Sequence, residues 1–185
     1  MKKLSLLGSA LALSMFLLAG CGGAKNEENH EHSHEHTMQE SGGEKDHHEK
    51  KADISFKDEK SGKVFQHYIH VKTALVNGDV AEASNGAEMI LASGGSDFEG
   101  VEAAEAIKEA SDIKDQRAAF ADLSAAVEKA LEGKIETGAV YKQYCPMAFN
   151  NQGGYWLSDQ EAIRNPYFGD KMLNCGRIDK VMGEL

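Results

Sequence analysis

Two short sulfur-bearing elements carry the chemistry that this chain can be read for. Cys145-Pro146-Met147 opens the C-terminal segment, and Met172-Leu173-Asn174-Cys175-Gly176 answers it near the end. Each sets a thiol beside a thioether, and soft donors of this kind suit Cu(I) or Ag(I) better than Mg, Ca or Mn. Proline disfavours the helical region for the residue before it, so Cys145 is expected to be extended. Cys145 and Met147 would then project to the same side. Met172 and Cys175, three apart, share a face if they form a helical turn, with Gly176 where such a turn ends. Facing each other, the two elements would offer two to four sulfurs (Cys145, Met147, Met172, Cys175). Structural Zn instead prefers four thiolate or imidazole ligands. The competing expectation is a Cys145–Cys175 disulfide closing a loop of about thirty residues, worth about 3–4 kcal/mol in the chain-entropy account. A bond would leave the placement of Met147 and Met172 without a reason, since methionines that only fill a core need not sit beside thiols. From the residues alone, both expectations stand.

Imidazoles form the second group. Six of the eight histidines fall between residues 30 and 48. His30, His32, His34 and His36 alternate with Glu31, Ser33 and Glu35, and His47-His48 follow. Alternate residues of an extended chain point the same way. Neutral imidazole binds Zn, Cu or Ni, and interleaved carboxylates concentrate cations, so the tract is expected to capture metal weakly. His67 and His70, three apart on an expected helix, are neighbours on its surface and form a further candidate pair.

The segments that must position these groups are of three kinds. Lys2 and Lys3 followed by the apolar run Leu4 to Leu18 read as an export signal, and Leu18-Ala19-Gly20-Cys21 resembles a bacterial lipobox. Residues 1–20 are expected to be removed and Cys21 lipidated, leaving the protein anchored in the cell envelope. Gly22 after the cysteine favours the outer membrane, facing the periplasm or the exterior. Removal of Lys2 and Lys3 moves the formal charge from −10 to −12. Such an acidic chain repels nucleic-acid phosphates and favours cations. Residues 21–57 are poor in large apolar side chains and read as a His-rich disordered tether.

Residues 58–185 read as the folded body. Val64, Tyr68, Val71 and Leu75 recur at helical steps. Asn77-Gly78 breaks that helix, and Asp79 with Glu82 resembles a cap for the next. Gly94-Gly95 ends the second helix. A third is expected over about 97–110, and Asp112 caps a fourth that carries Phe120, Leu123, Val127 and Leu131. Short connections between these helices predict an all-α fold, an antiparallel four-helix bundle. From about residue 139 to 180 the periodicity weakens, and an irregular Cys/Met module is expected, with Ser158-Asp159-Gln160-Glu161 starting a helical turn.

The run Tyr141-Lys142-Gln143-Tyr144-Cys145-Pro146-Met147-Ala148, then Trp156-Leu157-Ser158, Asn165-Pro166-Tyr167-Phe168-Gly169, Met172-Leu173 and Cys175-Gly176 resembles a bacterial family of unknown function. Tyr68, Lys72, Ala74-Leu75-Val76, Asp79, Arg117, Phe120 and Leu123-Ser124 fit the same resemblance, which spans about residues 60–180. That family occurs as exported proteins and fused to periplasmic adaptor subunits of copper/silver-type efflux systems. The resemblance implies a helical bundle that handles heavy metal outside the cytoplasm, with an efflux adaptor as partner. The expected function is capture, buffering or transfer of Cu(I), with Ag(I) or Zn as alternative cargo. The alternative is a disulfide-stapled helical interaction module of the cell envelope. No Cys-x-x-Cys pair, Ser/His/Asp set or carboxylate pair is recognisable, so no enzyme is expected.

Overall fold

A computed structural model describes residues 53–183. Cys21 and the histidine tract (His30, His32, His34, His36, His47 and His48) lie outside them.

Three aspartates start helices. Asp58, Asp79 and Asp112 are extended N-cap residues, each accepting backbone N–H groups of the first turn, at 2.8 Å from Ser61, 3.0 Å from Glu82 and 2.9 Å from Asp115. This satisfies donors that a helix start otherwise leaves open. Helix α1 runs Glu59–Asn77, α2 Val80–Gly94, α3 Val101–Glu109 and α4 Ile113–Leu131. Gly78 ends α1 at φ +74°, a left-handed position suited to glycine. The helix boundaries expected at Gly78, Asp79, Gly94-Gly95 and Asp112 all hold.

The all-α expectation does not. The chain also forms two antiparallel sheets, all but one of whose strands follow α4, giving a mixed α/β fold. Strand β1 (Ser55–Phe56) pairs with β2 (Ile135–Thr137). A three-stranded sheet of order β4-β3-β5 is built from β3 (Ala139–Cys145), β4 (Gly154–Ser158) and β5 (Arg177–Gly183). The reason the strands escaped a periodicity reading is visible in their burial. Both Val140 and Tyr141 of β3, and Trp156, Leu157 and Ser158 of β4, are buried at consecutive positions. A strand covered on both faces shows no polar–apolar alternation. The aromatic and β-branched content of these segments was the signal available.

Two local expectations are also overturned. Ser158 does not cap a helix; it ends β4, and its hydroxyl accepts the Gln160 N–H at 3.1 Å in an irregular loop. Met147 does not continue Cys145 in extended form, because its backbone turns helical (φ −88°, ψ −9°) into the four-residue turn α5, Ala148–Asn151. Within and after that turn Phe149, Asn150 and Asn151 run left-handed, at φ 51°, 57° and 68°. Side chains at such positions are strained by about 1–3 kcal/mol each.

Helices and sheet share one core. Tyr68 stacks on Phe120 (centroids 5.0 Å apart), and Tyr167 meets Phe120, Trp156 and Phe149 edge-on at 6.1, 5.9 and 4.9 Å. The outer edge of β4 is closed by hydroxyls: Leu157 N–H donates to Tyr68 Oη at 2.9 Å, and Tyr167 Oη donates to the Tyr155 carbonyl at 2.5 Å. Among the described residues, no helix is long and apolar enough to cross a membrane.

Candidate metal centre

Cys145 is the last residue of β3 and faces Gly154 of β4 across the sheet. It is fully buried, a common state for a thiol, which behaves as a small apolar group. Cys175 lies just before β5, after a 3-10 turn over Gly169–Met172. Its N–H donates to the Met172 carbonyl at 3.0 Å, so the expected turn from Met172 to Cys175 exists. Gly176 beyond it adopts φ +152°, with the Trp156 ring and the Tyr144 carbonyl each 3.1 Å from where a Cβ would stand.

The end of β3 and this turn bring the thiols together. Cys145 Sγ and Cys175 Sγ are 3.0 Å apart, and both are free. That is longer than a disulfide, at about 2.05 Å. It is shorter than the roughly 3.8 Å between two sulfurs bound at about 2.3 Å to one tetrahedral metal. The Cys175 thiol has its pKa raised, first by its hydrogen bond with Cys145 and then by burial. It is therefore held as the thiol at neutral pH.

Buried amides position this pair. Asn165, fully buried, donates from Nδ2 to the Cys175 carbonyl at 2.8 Å. Its Oδ1 accepts the Tyr167 N–H at 2.9 Å, and its own N–H donates to the Leu173 carbonyl at 2.8 Å. Gln143, two residues before Cys145, donates from Nε2 to the carbonyls of Gln160 and Glu161 at 2.9 and 3.1 Å, holding the loop between β4 and Cys175. Trp156 pairs with Gln143 across the strands, fully buried. Neither amide stands among the site residues that the sequence suggests. An Asn before proline and a Gln within an aromatic run were the only signals, and neither says what the amide will reach.

The thioethers share a surface cleft. Met147, 45 % exposed, and half-buried Met172 both line one surface cleft of about 670 Å³, whose lining residues include neither cysteine. The two thiols are thus in contact with each other, and the two methionines line a common cleft.

His67 and His70 of the further candidate pair have different surroundings. His70 Nε2 lies 2.7 Å from Glu82 Oε2 of α2, whereas His67, one turn earlier on α1, has its pKa lowered by partial burial and then by His70 and Lys63. Among the described residues, no group of three or more His, Cys, Asp or Glu side chains is placed to hold a metal ion. A site here has to draw on two thiols with other donors.

Residues 64–137 match the family model described as "Protein of unknown function (DUF3347)". The DUF3347 segment contains α2, α3, α4 and β2 whole, with α1 from Val64 onward. It ends eight residues before Cys145, so the family match concerns the bundle and is silent on the sulfur pair and on efflux adaptors. No curated protein and no solved structure matches the chain.

Proposed function

We propose that this protein is a non-enzymatic, lipid-anchored metal binder of the cell envelope, which captures Cu(I) or Ag(I) and buffers it or passes it to an efflux adaptor. The observation that supports this reading is the 3.0 Å approach of Cys145 and Cys175, thirty residues apart in the chain, one held at the end of a strand and the other on a turn. Two thiols in contact, one at a strand end and one on a turn, are a ready ligand pair for a soft monovalent ion that accepts two or three donors. Binding replaces both thiol protons with the metal, leaving two thiolates and releasing two protons. The sulfurs must separate by roughly 1 Å or somewhat more to admit the ion. Cys175 is the one with room to move, being half-buried on a turn, whereas Cys145 is locked at the end of the central strand. Zn is the poorer cargo, since it calls for four ligands. Acidic residues throughout the chain favour cations in general, and the histidine tract would collect metal ahead of the thiol site.

The test is a competition titration of Cu(I) or Ag(I) against a chelator, using wild type and the Cys145→Ser/Cys175→Ser variant under anaerobic, reducing conditions. Trp156, the single tryptophan, packs beside Gly176 and supplies a fluorescence signal. Tight binding by wild type with loss in the double variant is expected; equal binding by both sinks the reading.

The same thiol contact supports one rival, a disulfide staple. Diamide, which accepts the two thiol hydrogens as the S–S bond forms, separates the two. If metal occupies the thiols, loading with Ag(I) beforehand blocks their oxidation. If the pair serves only as a staple, diamide closes the bond with or without metal.

A further inference from the structure

The cleft that holds both methionines has a character of its own. Its lining includes the apolar and aromatic side chains of Ala148, Phe149, Tyr167 and Phe168 together with Met147 and Met172. Its charged lining residues are Lys114, Arg117 and Lys171, with no carboxylate among the lining residues, in a chain of formal charge −10. Arg117 is fixed there by donating to the carbonyls of Pro166 (2.7 Å) and Leu75 (2.8 Å). Asp115 and Asp170, next in sequence to Lys114 and Lys171, are not among the residues that line it, although the Asp170 carboxylate acts on Arg117, which leaves Lys114 and Lys171 as the principal cations of the cleft. Cations at the mouth of a cleft with low-dielectric walls draw anions towards it. The same charges repel a bare monovalent cation.

Building on the proposed metal-binding role, we infer that this cleft is the landing site for the metal, which arrives as an anionic two-ligand complex such as dichloroargentate. Lys114, Lys171 and Arg117 attract the complex. The Met147 and Met172 thioethers displace its chlorides, which leave as the two sulfur lone pairs bind; no electron is transferred. The metal then passes to Cys145 and Cys175, which lie two residues before Met147 and three after Met172. Their thiolates displace the thioethers, and two protons go to solvent. The sulfur placement accounts for such a division of labour. Neutral thioethers bind and release a soft ion readily and stand at the surface, Met147 being 45 % exposed, while the stronger thiolate site is sealed at Cys145. The left-handed run Phe149–Asn151 turns the chain directly after Met147 and places Phe149, Asn150 and Asn151 along the cleft.

Stopped-flow uptake of Ag(I) from chloride solution by the full-length, reduced protein tests this, with Trp156 fluorescence as the readout and competition titration giving the final affinity. Met147→Leu/Met172→Leu preserves volume and apolarity. It should slow uptake while leaving the equilibrium affinity and the melting temperature unchanged. Lys114→Gln/Lys171→Gln should slow uptake by about tenfold at low salt and flatten its dependence on ionic strength. Lost affinity with an unchanged rate in the methionine variant would make Met147 and Met172 ligands of the final site and overturn the landing role. Unchanged rates in both variants would mean direct access at Cys175 and would overturn it equally. Failure of the underlying metal reading looks different: the Cys145→Ser/Cys175→Ser protein would then bind Ag(I) as tightly as wild type.

Discussion

The Tyr68 hydroxyl accepts the backbone N–H of Leu157 at 2.9 Å and shares a second hydrogen bond with Ser124 Oγ at 2.8 Å. One buried oxygen thus joins α1, α4 and the outer edge of β4. Burial pushes its ionisation far above the ordinary tyrosine range, so it stays a neutral phenol. It is also what positions the sheet, and so Cys145, against the bundle.

Tyr68→Phe keeps the ring and its stacking on Phe120 but leaves the Leu157 N–H buried without a partner. An unsatisfied buried donor costs about 1–3 kcal/mol, enough to lower the Tm by several degrees. Thermal and urea unfolding of the reduced protein check this. A Tm equal to wild type would mean that water or a neighbour replaces the hydroxyl.

Asn165→Ala removes the amide that ties the Cys175 carbonyl to the Tyr167 turn. Here the prediction is twofold: a loss of about 1–3 kcal/mol of stability, and a weaker grip on Ag(I) or Cu(I), because the two thiols are no longer held in register. Asn165→Asp, which keeps the acceptor for Tyr167 but loses the donor to Cys175, should retain part of the stability and lose the same metal affinity. If affinity is untouched in both variants, Asn165 supports the fold only.

The pH dependence of metal binding has a definite sign. With its pKa raised by Cys145 and by burial, the Cys175 thiol carries its proton through the neutral range and up to its raised pKa. Metal must displace that proton, so affinity rises with pH below the thiol pKa, by up to about tenfold per unit for each thiol displaced. Chelator competition over roughly pH 6 to 8 should show a steep increase tied to thiol deprotonation. A flat profile would show that thiolates are not the ligands. In the metal-free protein the sign is opposite: a thiol with a raised pKa favours the fold at lower pH, and that contribution is lost as pH climbs through the raised value.

The helical half of this protein was legible because its signals are local. Asp58, Asp79 and Asp112 cap through their own next few residues, and Gly78 stops α1 by backbone freedom alone. The sheet half was not. Ala139, Val140 and Tyr141 of β3 are buried in a row, and the buried face that continues through Tyr141, Gln143 and Cys145 includes a polar amide, so residue types give no polar–apolar alternation to read. The loop from Ser158 to Asn165 takes its form from a distant donor, Gln143, rather than from the capping pattern it contains.

The sulfur site divides along the same line. Residue types alone determined that two thiols and two thioethers lie in matched pairs, and the turn from Met172 to Cys175 follows from short-range hydrogen bonding. Which sulfurs meet was decided only by the tertiary structure. The antiparallel register of β3 with β5, together with the Asn165 amide, brings the Cys145 end of one strand beside the chain leading into the other. The helical turn at Met147, directly after Pro146, carries its side chain into the cleft beside α4 instead. Sequence spacing sets how far apart along the chain the donors stand; the direction in which each side chain points depends on contacts with residues tens of positions away.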